Sequence, residues 1–189
     1  MKRSPHHNWH VPTILVLLAI SLSLAIVGGC TSNALTPENG NPNQSKLDWL
    51  NEFFNDGGAD RGPSPFIMEE TVSGLIGPKG AVLQLNLRGS LPIVFRFPAG
   101  ALKVETLITI HAYILQSPFG NFMLYDCGPD GTVFDVPVEV LQPEPRGTTT
   151  ASLFYFNETS MQWELQETSR VLNGTALFHI YHFSKYGIS

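Results

Sequence analysis

The sequence predicts an all-β fold: an antiparallel β-sandwich of about eight or nine strands, preceded by a signal helix, a disordered tether and one short helix. Three observations carry this. From Phe66 onward, apolar and polar residues alternate over short segments, the period of a strand with one face in a core and one in water. Between those segments stand turn clusters drawn from 17 glycines and 14 prolines. After Gly58 no convincing helical spacing of apolar residues returns, so packing sheet on sheet is the remaining way to bury the apolar faces.

Composition sets the outer limits. The chain has 189 residues, 43% hydrophobic and 14% charged, which suits one domain with extras and excludes a wholly disordered polymer. Two cysteines exclude a disulfide-knit scaffold. A net charge of −5 lacks the basic stripe that nucleic acid requires, so no nucleic-acid partner is expected.

Residues 1–29 read as a lipoprotein signal peptide. Lys2 and Arg3 form a short positive start, and residues 11–27 are apolar without a charge. Val27-Gly28-Gly29-Cys30 then resembles the lipobox of bacterial lipoproteins: an aliphatic residue, two small residues and a cysteine. Small side chains let an extended backbone enter a peptidase site, and the Cys30 thiol accepts a diacylglycerol. Cleavage before Cys30 frees its amine for a further acyl chain, and two or three chains anchor stably where one does so only marginally. The alternative is an uncleaved apolar anchor helix. Lipidation at Cys30 implies the membrane as a partner and a bacterial cell-envelope location. Thr31 rather than an aspartate follows the cysteine, which favours the outer membrane if the source has two. Removal of the signal leaves nine basic and sixteen acidic residues, a net of −7. It also leaves His111, His179 and His182 as the histidines available for chemistry, and Cys127 with no intramolecular disulfide partner.

Residues 30–44 read as a flexible tether, polar and broken by Pro37 and Pro42. Residues 45–65 hold a short helix and linker. Ser45-x-x-Asp48 resembles a capping box with Asp in place of Glu. Leu47, Leu50, Phe53 and Phe54 follow helical spacing, and Gly57-Gly58 ends it. A helix of two or three turns does not persist alone, so it docks on its own domain or on a partner.

Residues 66–189 form the sandwich. Leu83, Leu85 and Leu87 alternate with Gln84 and Asn86; Ile93, Phe95 and Phe97 with Val94 and Arg96. Ile108, Ile110, Ala112 and Ile114 form a third apolar row, and Phe134, Val136, Val138 and Val140 a fourth. Pro137 inside that last run implies a sheet edge or a bulge. Residues 152–156 are apolar on both faces, and residues 175–183 do not declare which face is buried.

Within these strands the residues reach a family. Phe95-Arg96-Phe97-Pro98-Ala99-Gly100-Ala101-Leu102, followed by Glu105-Thr106-Leu107-Ile108-Thr109-Ile110, resembles the ZU-five domain of ankyrins, netrin receptors, zonula-occludens proteins and bacterial surface proteins. Gly128-Pro129-Asp130-Gly131-Thr132-Val133-Phe134, continuing to Pro137-Val138, resembles its second hallmark, and His182-Phe183-Ser184-Lys185-Tyr186 its closing strand. The likeness covers roughly residues 71–189. It implies a β-sandwich that binds or scaffolds through an unknown envelope or surface protein partner, and fold alone does not prove that role.

Candidate chemistry is sparse. Some ZU-five proteins cut themselves at His-Phe-Ser, so the resemblance makes His182 and Ser184 candidates for autoproteolysis between Phe183 and Ser184. The Ser184 hydroxyl would attack the Phe183 carbonyl with His182 as base. Packing of His182 and Phe183 at a strand end, with Ser184 turning the chain, explains the same residues without chemistry. His179 and His182 are three apart in a strand and point to opposite faces, so no metal site is expected. Asp126, Asp130 and Asp135 lack calcium-loop spacing. Cys127 reads as a small buried hydrophobe. Asn157 and Asn173, in glycosylation-like triplets, read as surface turn residues, and aromatics of residues 153–156 with Trp163 could make a carbohydrate or protein contact. No phosphate loop, serine elbow or dinucleotide fingerprint is present, so no cofactor and no enzymatic activity are expected.

Overall fold

The structure, a computed structural model, describes residues 41–55, 66–87 and 91–189. The signal segment with Cys30, the tether up to residue 40 and the Gly57-Gly58 stop lie outside the described residues. The described chain holds one helix, α1 (Pro42–Asn55), and ten strands. These are β1 (Phe66–Ile76), β2 (Ala81–Leu85), β3 (Ile93–Phe97), β4 (Thr106–Ser117), β5 (Gly120–Gly128), β6 (Val133–Pro143), β7 (Thr150–Asn157), β8 (Gln162–Arg170), β9 (Thr175–His182) and β10 (Lys185–Ile188).

Six strands form one antiparallel sheet in the order β1-β4-β5-β10-β7-β8, and four form the other in the order β2-β3-β6-β9. Their facing sides enclose the main core. Ile108, Ile110, Tyr125, Cys127, Leu153 and Tyr186 from the larger sheet meet Leu83, Leu85, Phe95, Val140, Phe178 and Ile180 from the smaller. Tyr125 donates its hydroxyl proton to Gln142 Oε1 across the core, and Gln142 Nε2 donates to the Pro143 carbonyl at 3.0 Å. This buried polar pair is therefore satisfied, as burial requires.

The sandwich reading is correct, and several details differ from the sequence expectation. There are ten strands rather than eight or nine, because β1 and the four-residue β10 carry weak or mixed patterns. Val136 is exposed, not in the inward row of β6. The β6–β9 register breaks between Val133 and Val138, so residues 134–137 stand opposite Tyr181 alone. Pro137 sits in that bulge on an interior strand, where its missing N–H breaks no ladder bond. On β9 the buried face is Ala176, Phe178 and Ile180.

The turns follow from their residues. Gly80 (φ +75°) closes the β1–β2 turn, donating its N–H to the Gly77 carbonyl at 2.9 Å. A Cβ there would lie 2.2 Å from the Phe97 carbonyl oxygen, so only glycine fits.

The helix starts three residues earlier than Ser45, inside the expected tether. Asn41 is the cap, its Oδ1 accepting the Asn43 N–H at 3.1 Å, and Pro42 takes the first helical position, where it has no N–H to lose. The Ser45–Asp48 box is not used; Asp48 instead accepts from Gln44 Nε2 at 2.7 Å. Helix α1 docks on its own domain, over the outer face of the six-stranded sheet. Leu50 is fully buried there with Leu115, Phe122, Leu124, Phe154 and Trp163. This second core explains why residues 152–156 are apolar on both faces: Leu153 faces the sandwich and Phe154 the helix. Trp49 stacks on Phe122, with ring centroids 5.7 Å apart.

Two edge strands are closed by side chains. On β8, the backbone N–H of Trp163 donates to Asn51 Oδ1 at 2.6 Å, and Asn51 Nδ2 donates to the Trp163 carbonyl at 3.3 Å. One amide of the helix thus stands in for the missing strand. On β9, Gln166 Nε2 donates to the His179 carbonyl at 2.7 Å, and the His179 N–H donates to Glu167 Oε2 at 3.0 Å. Gln166 is the extra residue of a bulge, since Leu153 pairs with Glu167 and Phe154 with Leu165.

Near the start of the helix, Lys46 and Glu144 share a partly buried site. Burial pushes the Glu144 carboxyl up from 4.5 to about 7, with Lys46 pulling the other way; burial also lowers the Lys46 ammonium. Desolvation outweighs attraction for both groups. A carboxyl raised in the fold binds its proton more tightly there than in the unfolded chain, so the stability it contributes is present below pH 4.5 and lost as the pH rises to about 7. Urea unfolding at pH 5 and 7.5 tests this. Wild type should lose on the order of 1 kcal/mol over that interval relative to Glu144→Gln, after allowance for solvent screening. Parallel losses in the two proteins would contradict it.

Candidate functional site

Among the described strands the chain changes sheet six times, and two of these crossings adjoin. It passes from β5 to β6 through residues 129–132, and from β9 to β10 through Phe183 and Ser184. The crossings are bonded to each other. The Phe183 N–H donates to the Thr132 carbonyl at 2.7 Å, the Gly131 N–H to the Phe183 carbonyl at 3.2 Å, and the Cys127 N–H to the Ser184 carbonyl at 3.3 Å. Gly131, at φ +70°, gives the first crossing its left-handed corner.

The ring of Phe183, 1% exposed, packs edge-on against Phe134 at 4.9 Å between centroids and against Phe97 at 6.2 Å. A third segment joins here: the loop after β3 turns through Gly100 (φ +83°), and the Asp135 N–H donates to the Ala101 carbonyl at 3.1 Å. The three segments singled out in the sequence, around Phe97, Phe134 and Phe183, therefore meet at one end of the sandwich.

The groups of His182-Phe183-Ser184 have these partners. Ser184 is 6% exposed, and its Oγ donates to the Phe156 carbonyl at 2.9 Å. His182 Nδ1 lies 3.4 Å from the Phe183 carbonyl oxygen, and the Tyr186 hydroxyl donates to the His182 carbonyl. The serine hydroxyl thus points at a carbonyl across the sheet rather than at the imidazole. The Phe183 carbonyl does carry one fixed N–H donor, from Gly131, of the kind that steadies an oxyanion.

The other candidates lie apart. His111, exposed on the outer face of β4, shares a 2.6 Å hydrogen bond with Thr71 Oγ1. His179 lies on the outer face of β9, its Nδ1 3.5 Å from Glu167 Oε1. Cys127 is in the core, and burial first, with the Asp126 carboxylate second, pushes its thiol far up, which keeps it protonated and unreactive. Asp135 pairs with Lys103 at 3.1 Å. Among the described residues no three His, Cys, Asp or Glu side chains gather to hold a metal. Asn157 accepts the N–H groups of Thr159 and Ser160 at a turn, and Asn173 sits at φ +53°, as turn asparagines do. The aromatics expected as a contact surface are largely interior: Phe154 is fully buried and Trp163 is 3% exposed beneath the helix.

Sequence reasoning missed one feature, a groove of about 750 Å³ on the outer face of the six-stranded sheet beside the end of α1. Its wall includes Phe66 and Ile67, where the β1–β4 register shifts. The signal available in sequence was the apolar Phe66-Ile67-Met68 run, too long for a strand with one wet face, of which Ile67 is half exposed.

The partners of Ser184 set an expectation for the intact protein. Chain purified after folding should keep one mass through Ser189 under denaturing mass spectrometry. Ser184→Ala should lower stability by about 1 kcal/mol, the worth of one hydrogen bond. Loss of the peptide SKYGIS from wild type, with retention in Ser184→Ala, would contradict this.

No family model matches the chain, and no curated protein matches it significantly.

Proposed function

We propose that this chain is a lipid-anchored protein of the bacterial cell envelope, whose ZU-five-like sandwich serves protein contact or structural support without catalysis. The observation that carries the reading is the run of apolar residues 11–27 ending in Val27-Gly28-Gly29-Cys30. Small residues ahead of a cysteine suit signal cleavage and thiol acylation, and acyl chains on Cys30 would hold the domain at the membrane. The remaining residues carry a net charge of −7, which favours a protein or lipid setting over nucleic acid.

The dispersal of His111, His179 and Cys127 over two outer faces and the core supports a binding role over catalysis. The meeting of the three ZU-five-like segments at one end of the sandwich supports reading them as one structural signature. A second reading, a domain that cuts itself between Phe183 and Ser184, draws on the Gly131 N–H held at the Phe183 carbonyl. In it the Ser184 oxygen bonds to the Phe183 carbonyl carbon, the peptide C–N bond breaks with a proton passing to the new amine, and water hydrolyses the ester. The Ser184 hydroxyl bonded to Phe156 weighs against that course.

Replacing Cys30 with Ser tests the anchor. The variant should appear in the soluble fraction or as an unprocessed precursor, while wild type partitions into detergent with the mass of an acylated Cys30 terminus. An identical detergent-phase mature species from both would overturn the proposal.

A further inference from the structure

The strand registers sort the connections into two groups. At the Phe183 corner end, β1 passes to β2, β3 to β4, β5 to β6, β7 to β8 and β9 to β10. At the opposite end, β4 passes to β5, β6 to β7 and β8 to β9, and β3 begins. Helix α1 also starts at that opposite end. Ser152 Oγ, near the start of β7, donates to Asn43 Oδ1 at 2.8 Å, and Asn43 Nδ2 donates to Thr168 Oγ1, near the end of β8, at 3.3 Å.

Three large apolar side chains stand in water there. Leu172, 70% exposed, lies in the turn between β8 and β9; Phe119, 39% exposed, in the turn between β4 and β5; and Leu91, 63% exposed, just ahead of β3. The turns are built by other groups. Asn173 and Gly174 supply the left-handed residues after Leu172, and Ser117 Oγ accepts the Phe119 N–H at 3.1 Å. Turn tips ordinarily carry polar residues, and these hairpins need none of the three apolar side chains. Arg146 and Arg170 are exposed at the same end, as is Asp48, while Lys46 and Glu144 share their partly buried site there.

The length of chain ahead of the helix says what meets this end. Asn41 follows Cys30 by eleven residues, which span at most about 40 Å. The end at which α1 starts is therefore the one an anchored chain brings to the bilayer directly. Presenting the corner end would take most of that length, because β7 and β8, of eight and nine residues, run about 30 Å between the two ends. Apolar side chains such as Val104 and Val133 are exposed at the corner end too, but there the exposed acids Glu105, Asp130, Asp135 and Glu158 outnumber Lys79, Lys103 and Lys185.

We propose that the end carrying Leu91, Phe119 and Leu172 rests on the bilayer that holds Cys30, with these tips in the headgroup and acyl boundary and Arg146 and Arg170 at the lipid phosphates. The inference rests on the lipid-anchor reading and adds to it an orientation: the corner with Phe183 faces away from the membrane. An acylated Cys30 keeps the tips at an effective concentration of about millimolar, so weak contacts by each tip suffice.

Depth-dependent quenching on the full acylated chain tests this. Leu172→Cys, Phe119→Cys and Val133→Cys are each labelled with bimane; Cys127 is 1% exposed and acylation consumes the Cys30 thiol, so the new cysteine takes the label. The proteins are bound to vesicles of phosphatidylcholine and phosphatidylglycerol carrying a nitroxide high on the acyl chain, and recovered by flotation. Quenching at 172 and 119 should exceed that at 133 by at least about fivefold, since only groups at the interface sink about 5–10 Å into it. In a Leu91→Cys protein that also carries Phe119→Glu and Leu172→Glu, both exposed positions, quenching at 91 should fall at least about threefold from that of Leu91→Cys alone, with flotation unchanged. Floating protein with equal quenching at the three sites, stronger quenching at 133, no quenching at any site, or an unaltered signal in the glutamate variant would overturn the proposal and leave the anchor standing. Protein that does not float would overturn the anchor reading, and this orientation with it.

Discussion

Of the six crossings between the sheets, the β5–β6 and β9–β10 crossings are held to each other, and that contact ties the two sheets together at one end of the sandwich. A sheet can align its own strands through its ladder, but nothing in a ladder fixes one sheet over the other. Here the Phe183 backbone bonds to the turn at residues 131–132 with both its N–H and its carbonyl, and its ring wedges between Phe134 and Phe97. The Phe183 N–H and carbonyl are both paired while the ring is removed from water, so the corner has the character of a core rather than of a loop.

The same economy of partners governs the edges. Both β8 and β9 offer unpaired backbone groups, and side chains answer them: Asn51 on one, Gln166 and Glu167 on the other. The helix therefore does two jobs. Its apolar face buries the outer side of the larger sheet, and its amide closes the edge against pairing with another chain. Lys46 and Glu144 show the limit of this docking, since neither charge is improved by being brought under it.

Much of the fold was legible because strands with one wet face write their orientation into every second residue. β3 and the first two-thirds of β4 are buried where the alternation puts them. The exceptions share a cause: contacts made at a distance in sequence. Val136 faces water because a bulge interrupts β6. Residues 153–156 looked like a surface with aromatics to spare because the helix that covers them lies about a hundred residues earlier. Asn41-Pro42 read as a break in a tether, although the same pair makes a good helix start once the helix has a sheet to rest on. Of the candidate site, the three segments could be picked out from their turn residues, but their convergence on Phe183 could not, and neither could the hydrogen bond that takes Ser184 to Phe156.

If the corner ties the two sheets together as one unit, Phe134 and Phe183 must be energetically coupled. A double-mutant cycle of Phe134→Leu and Phe183→Leu, read by urea unfolding, measures this directly. The rings lie 4.9 Å apart at 81°, an edge-on geometry, so a coupling of about 0.5–1.5 kcal/mol is expected. Strict additivity of the two single losses would mean that the rings pack independently, and that the two adjoining crossings do not act as one unit.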